Sequence, residues 1–464
     1  MTFKAFDLER LLSDWEQTVE FNFAESGVHP VPLKELLEFA GADLNEFLDI
    51  PLNYPEVNGD LKLRQRIQAL YNGAGLDNVI VTVGASEANY ILANTLLVEG
   101  DEVAVMRPTY MQFSGAASNL GAKVRTFSLN ENKAWALDIE ELQEAVTPNT
   151  KVIAVVNPNN PTGKILSEKE MDVLIAAAEK VNAWLIADEV YSGAEGEKIQ
   201  PTSSFYGKYN KVITVNGLSK AYGLPGLRIG WIVAPVNLIR ELWRRHEYTT
   251  VSSSMLGNRL GEMALRPHVR RQLLDRTRKL VGQGFDVLQQ ILDEYPDVYS
   301  VVPPGASALS FVRYNLPVNS TELIHKFREE ENCKMVETGI GGVKTIFASL
   351  KNNQMTCMAS DQVPARGLGV YSKFFGHECY SFALAPKLAK KSNKQILLSY
   401  LSYEKDIGHI INFKKPSAEI YSDKGVDIMN LEMEHEIKKS PAEYSWEYKK
   451  FRRLSQEPKD IYKT

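Results

Sequence analysis

Residues 212–233 read VITVNGLSKAYGLPGLRIGWIV, and this stretch decides the architecture. Two apolar runs, Val212–Val215 and Ile229–Val233, have the β-branched composition of strands. Between them lies a loop of small and apolar residues that carries one lysine, Lys220, and one arginine, Arg228. A lysine with such flanks at the end of a strand points to a partly buried amine of lowered pKa rather than to a solvated surface lysine.

Working outward, the same kind of run recurs at Asn78–Val83 (NVIVTV), Glu102–Met106 (EVAVM), Val152–Val156 (VIAVV) and Trp184–Ala187, the last ending at Asp188. Helical patterns over Glu87–Leu97 and Glu168–Val181 separate them. Continuous apolar runs alternating with helices predict a parallel or mixed sheet buried on both faces, in a three-layer α/β architecture. Ligands in such folds sit at the C-terminal ends of the strands. The residues with chemical potential, Gly84–Glu87, Tyr110, Asn160, Asp188 and Lys220, all follow predicted strands. Residues 237–295 read as helices, the last over Thr277–Glu294. Ser307–Tyr314 reads as a strand, and Ser320–Glu331 as a helix with Ser320 as N-cap.

A chain of 464 residues predicts two or three domains. Its 44% hydrophobic and 24% charged residues are ordinary for a globular protein, and a net charge of −5 gives no reason to expect a nucleic-acid partner. No apolar run reaches the length of a membrane helix. The first residues, MTFKAFDLERLLSDWEQ, alternate charge with apolar residues and lack a signal-peptide core, so a cytoplasmic protein is expected. Three cysteines do not make a disulfide framework, and no metal site is expected. Composition shifts along the chain. From Lys334 onward there are 21 Lys and Arg against 15 Asp and Glu, whereas the preceding residues hold 32 against 43. All three cysteines fall after residue 332. That asymmetry suggests two segments of different origin.

The segment GLSKAYGLPGLRIGW (217–231) resembles the cofactor-lysine signature of the class I/II aminotransferases, enzymes that use pyridoxal 5′-phosphate (PLP). The family's other motifs lie in the expected order. The resemblance implies Lys220 as the lysine holding PLP in an internal aldimine and then acting as general base, with Ser219 and Arg228 beside it at the cofactor. NPNNPTG (157–163) is similar to the family's Asn-Pro-x-Gly turn, which gives Asn160 a contact to the phenolic oxygen. ADEVYSG (187–193) makes Asp188 the partner of the ring nitrogen and Tyr191 a second donor to the phenolic oxygen. GASEA (84–88) opens a helix, so the amides of Ala85 and Ser86 would hold the phosphate. RPTY (107–110) implies that Tyr110 stacks on the pyridine ring. Tyr54, in NYPEVNGDLKLR, matches the tyrosine that reaches the neighbouring subunit's phosphate, which implies a homodimer with shared sites. Gly217 departs from the pattern, because many relatives carry a hydroxyl residue there. The substrates implied are an amino acid and a keto acid; the donor and acceptor are not legible. FNFAESGVHPV (21–31) resembles the substrate-side loop of some of these enzymes, including ones acting on arginine-derived amino acids.

The resemblance weakens after residue 333. The family's late arginine, which grips the substrate carboxylate, is not found where it is expected, and Arg366 is offered for that role only by its residue type. Instead SDQVPARGLGVYSKFFG (360–376), Ala385–Lys391 and EIKKSPAEYSWEYKKFRR (436–453) resemble the C-terminal half of the bacterial lipid A lysophospholipid acyltransferases. That family's His-x4-Asp/Glu motif lies upstream of the matched part. His325–Glu330 has the spacing but reads as a solvated helix face. His377 and Asp361 read as fold-shaping residues rather than an acid–base pair. The expected organisation is therefore 1–40 as the N-terminal part of a small domain, 41–290 as a PLP-binding large domain of fold type I, 291–333 as a truncated small domain, and 334–464 as a partial α/β acyltransferase-like segment. The function expected is a PLP-dependent aminotransferase, impaired if the carboxylate arginine is lost. The alternatives are a non-functional or chimeric fusion, or an acyltransferase fragment without its catalytic histidine.

Overall fold

A computed structural model describes residues 3–16, 22, 24–197, 199–317, 319, 336, 340–364, 367, 369–404, 408–439, 441, 444 and 450–455. The chain divides into two compact units, Met1–Pro317 and Val318–Thr464.

The first unit is built on one eight-stranded sheet: β1 (Val79–Val83), β2 (Glu102–Arg107), β3 (Lys123–Asn130), β4 (Ala136–Leu137), β5 (Thr150–Val156), β6 (Trp184–Asp188), β7 (Val212–Gly217) and β8 (Ile229–Val233). The order across the sheet is β1-β8-β7-β6-β5-β2-β3-β4. Strands β7, β6, β5, β2 and β3 run parallel, and β8 is antiparallel to both of its neighbours, β7 and β1. That reversal matters for function. The C-terminal ends of β1, β2, β5, β6 and β7 and the N-terminal start of β8 all meet at one edge. The chain can therefore bring Gly84, Asp188, Lys220 and Arg228 together from strands far apart in sequence.

Continuous Val and Ile runs make these strands because both faces are covered. Val79, Ile80, Val81, Val103, Val152, Ile153, Ile213, Val215, Ile232 and Val233 are buried, and each such side chain contributes about 1.5–3 kcal/mol. Helix Gly84–Leu96 packs Ile91 and Leu92 on one face with Ile186 and Ile213. Helix Glu168–Val181 covers the other with Leu174 and Ile175. Its start is fixed by a reciprocal cap. Ser167 Oγ accepts from the Glu170 amide, and Glu170 accepts from the Ser167 amide.

Two expectations are corrected. The last helix begins at Pro267 and ends at Asp293, because Pro fits the first turn and the apolar period continues upstream of Thr277. Of Ser307–Tyr314, only Arg313–Tyr314 pairs, with Tyr299–Ser300. The helix expected over Ser320–Glu331, and with it His325–Glu330, lies outside the described residues.

The second unit holds two antiparallel hairpins, Gly369–Phe374 with His377–Phe382 and Leu398–Glu404 with Gly408–Lys414, and helices Ile340–Lys351, Leu384–Ser392 and Gly425–Ile437. The FFG of the quoted motif is the first hairpin's two-residue turn. Phe375 (φ 44°) and Gly376 (φ 80°) both take left-handed backbone, as a turn matching the strand twist requires. Asn430 ties hairpin to helix by donating to Ser372 Oγ (3.0 Å), Lys373 O (3.1 Å) and Ser381 Oγ (2.9 Å). Among the described residues no helix is long and apolar enough to cross a membrane, and no cluster could hold a metal.

Candidate active site

The loop after β7 holds Lys220 in a tight fold. The Leu224 amide bonds Leu218 O (3.0 Å), and the Gly223 amide bonds Lys220 O (3.2 Å). Lys220 Nζ donates to Ser26 Oγ at 2.7 Å and lies 3.8 Å from Glu25 Oε1. Burial lowers its pKa, against the opposing charges of Glu25, Glu9 and Glu16. The sequence flanks had predicted this direction.

Asp188 closes the adjacent strand β6. Its buried carboxylate accepts from Asn89 Nδ2 (3.1 Å) and the Val190 amide (3.2 Å). Desolvation nevertheless pushes it up to about 6. Three residues on, Tyr191 donates to Ser26 O (3.1 Å), and Asn160 Nδ2 reaches Tyr191 Oη (3.3 Å). Ser26 thus bridges the lysine and the tyrosine. Tyr110, beside Asp188 in a small cavity that Asn89 and Phe113 also line, donates to Glu9 and packs against the Phe6 ring.

At the far end, β1 turns into helix Gly84–Leu96. Gly84 has φ +71°, and a Cβ there would come within 2.5 Å of Arg228 Nη2. The Gly84 amide bonds Arg228 O (3.1 Å), and Arg228 Nη1 lies 3.4 Å from Ser219 Oγ. The amides of Ala85 and Ser86 open the helix and need acceptors from outside it. A guanidinium, a hydroxyl and a helix N-terminus in one cradle suit a phosphate dianion. Gly217 has a steric reason. A Cβ would sit 2.9 Å from Ile229 O, so the close approach of β7 to β8 leaves no room for a serine.

The structure therefore brings Lys220, Asp188, Tyr191, Asn160 and Tyr110 to one edge, with Ala85, Ser86, Ser219 and Arg228 beside them. Tyr54 is 84% exposed on its own chain. Arg366 lies outside the described residues. His377 meets the Phe451 ring at 5.6 Å, and Asp361 acts on the charge of Lys450. Sequence reasoning missed Ser26 and Asn89 as contacts. Ser26 was inside the quoted FNFAESGVHPV, and Asn89 is a polar residue on an otherwise buried helix face.

The donor set fits PLP on its own terms. A buried carboxylate with a raised pKa suits a cationic ring nitrogen, two side chains suit a phenolic oxygen, and the cradle suits a phosphate ester. The comparisons agree. The family model for aminotransferase class I and II matches residues 49–356, and the model for bacterial lipid A biosynthesis acyltransferase matches 308–453. Capreomycidine synthase of Streptomyces vinaceus is 31% identical over 337 residues, covering 71% of this chain and 86% of that protein. Arginine–pyruvate transaminase of Pseudomonas aeruginosa is 33% identical over 197 residues, 41% of this chain and 50% of that one. Among solved structures, a PLP-dependent aminotransferase from Streptococcus suis superposes with a TM-score of 0.65 at 28% identity, covering 72% of this chain and 89% of that one.

Proposed function

The chain belongs to the aminotransferase class I and II family, a PLP-dependent family of fold type I, and from that premise we propose that it moves an amino group from an amino acid to a keto acid with Lys220 as the cofactor-bearing amine. The observation that carries this reading is the hydrogen-bonded chain at one sheet edge, from Lys220 through Ser26 to Tyr191 and Asn160, with Asp188 closing the neighbouring strand.

Bound PLP supplies an electron sink for the charge left when a substrate Cα–H is broken. The remaining roles belong to the protein. Ser26 Oγ orients Lys220 Nζ. With its pKa lowered by burial, that amine would accept the Cα proton and deliver it to the cofactor's aldehyde-derived carbon, as amino transfer requires. Asp188 would accept the ring N–H and hold the proton there. Asn160 and Tyr191 would donate to the phenolic oxygen, and Tyr110 would cover the ring. Ala85, Ser86, Ser219 and Arg228 would anchor the phosphate.

The substrate we favour carries a cationic side chain. Glu9, Glu16 and Glu25 all act on the charge of Lys220, and Glu16 is itself raised, by burial and by Glu25. A second carboxylate on the substrate would meet repulsion there, whereas a guanidinium would relieve it. The relatives named for arginine and capreomycidine point the same way. The absence from the tail sequence of the family's late arginine implies a loose grip on the α-carboxylate and hence a raised KM. Tyr54 is read as serving a second copy's phosphate in a homodimer. The join near residue 333 is read as a shortened aminotransferase meeting an acyltransferase fragment, through either a genuine gene fusion or a chimeric gene.

The test is absorbance of the purified protein after PLP addition. A Lys220-dependent visible band is expected, absent in Lys220→Ala. L-arginine should bleach or shift it at lower concentration than its neutral isostere L-citrulline or L-glutamate. A colourless protein, or one indifferent to every amino acid, sinks the reading. The match at 308–453 favours a second reading, acyl transfer to a lipid A precursor, which assay with that acceptor decides.

A further inference from the structure

Glu87 lies one residue beyond the amides assigned to the phosphate, yet its carboxylate turns away from them. Its Oε2 accepts the Val83 amide at 2.6 Å. Its Oε1 accepts from Thr250 Oγ1 (2.8 Å) and from Thr249 Oγ1, and it meets His246 Nδ1 at 3.1 Å. Glu87 and His246 are both buried. Val83 is the last residue of β1, His246 the last of helix Val236–His246, and Thr249 and Thr250 belong to the loop that follows. One side chain therefore ties three pieces of backbone to the turn at Gly84. Around that turn, Thr82 Oγ1 holds Gly84 O (2.9 Å), Arg228 O holds the Gly84 amide (3.1 Å), and Gln112 Nε2 holds Ser86 O (2.9 Å). Thr82 joins the strand to the first helical residue, and Glu87 reaches further, from the first turn of the helix back to the amide of Val83 and out to His246, Thr249 and Thr250.

Resting on the reading of this site as a PLP site, we infer that Glu87 is the positioning residue of the phosphate cradle: clamped by Val83, His246, Thr249 and Thr250, it sets the strand-to-helix turn in which Ala85, Ser86 and Arg228 receive a phosphate ester. It does not touch the ligand. Its negative charge is compensated on the far side by four donors, so the amide dipoles stay free for the phosphate. A hydrogen-bonded turn held open in the binding geometry costs no reorganisation when the anion arrives.

Equilibrium binding of PLP, pyridoxal and inorganic phosphate to the full chain separates positioning from bulk stability, because pyridoxal lacks the phosphate. In Glu87→Gln, the Kd for PLP and for inorganic phosphate should rise roughly tenfold, while the Kd for pyridoxal stays within about twofold. Should that variant fail to fold, Thr249→Val with Thr250→Val removes two of the four donors and should give the same split. Equal weakening of PLP and pyridoxal, or no change in either, overturns the inference. If the parent protein forms no lysine-linked band with either aldehyde, the enzyme reading fails, and the phosphate arm still decides: a phosphate site lost in Glu87→Gln sustains the inference, and a parent that binds no phosphate overturns it.

Discussion

Burial acts on both Asp188 and Lys220, and in opposite senses. Burial pushes the Asp188 carboxyl up to about 6 and the Lys220 amine down. A carboxyl whose folded pKa is raised holds its proton more tightly folded than unfolded. Its contribution is therefore favourable at acid pH and is lost as pH climbs from near 4 through about 6. The cofactor-free protein should lose about 2–3 kcal/mol between those limits from this one group. Asp188→Asn should lessen the slope there, leaving the share of the neighbouring Glu189, which burial raises to about 8, and added PLP should reverse the Asp188 share, since a cationic ring nitrogen favours the ionised form. Thermal melts across pH, with and without cofactor, check both. At Gly217 the expectation runs against imitation of relatives. Gly217→Ser should not strengthen PLP binding, because its Cβ would crowd Ile229 O; it should instead cost about 1–3 kcal/mol of stability by overpacking, read by denaturant titration. Lys220, Asp188, Asn160 and Tyr191 were legible because each sits in a short motif at a strand end. Ser26 and Asn89 were not, since their partners lie 194 and 99 residues away, and no local pattern encodes such contacts.

Among elements, the buried strands were legible within a residue or two, and β3 was passed over. Its sequence KVRTFSLN alternates charge with apolar residues, and it lies near the sheet margin with Lys123, Arg125 and Thr126 exposed, so it lacks the continuous apolar run that marks its neighbours. Ser307–Tyr314 has strand composition but only two residues that find a partner, because pairing is decided by the rest of the sheet and not by local propensity. The hairpin of the second unit shows local chemistry winning. Phe375 and Gly376 both take positive φ, and a two-residue turn of that hand demands it. Gly376→Ala should therefore cost about 1 kcal/mol, seen as a lower unfolding midpoint with the visible PLP band unchanged. Loss of the band in that variant would contradict the assignment of cofactor binding to the first unit alone.

On the scale of the whole molecule, the question is how many chains make one site. Tyr54 is exposed on its own chain, while Lys220, Asp188 and Arg228 share one sheet edge. If Tyr54 completes the phosphate site of a second copy, neither residue can serve its function from the same chain. Two variants, Lys220→Ala and Tyr54→Ala, should then each be impaired alone, the first abolished and the second weakened for PLP. Mixed, unfolded together and refolded, they should regain activity. In a two-fold dimer every hybrid pairs one chain lacking Lys220 with one lacking Tyr54, and one of its two sites then carries both wild-type residues. Recovery above the sum of the separate variants is the expected result. Sites built within single chains would give only that sum, and the same preparation run by sedimentation would show whether a dimer forms at all. Complementation also bears on the second unit, because a second unit that blocked pairing of the first would abolish recovery in the full chain.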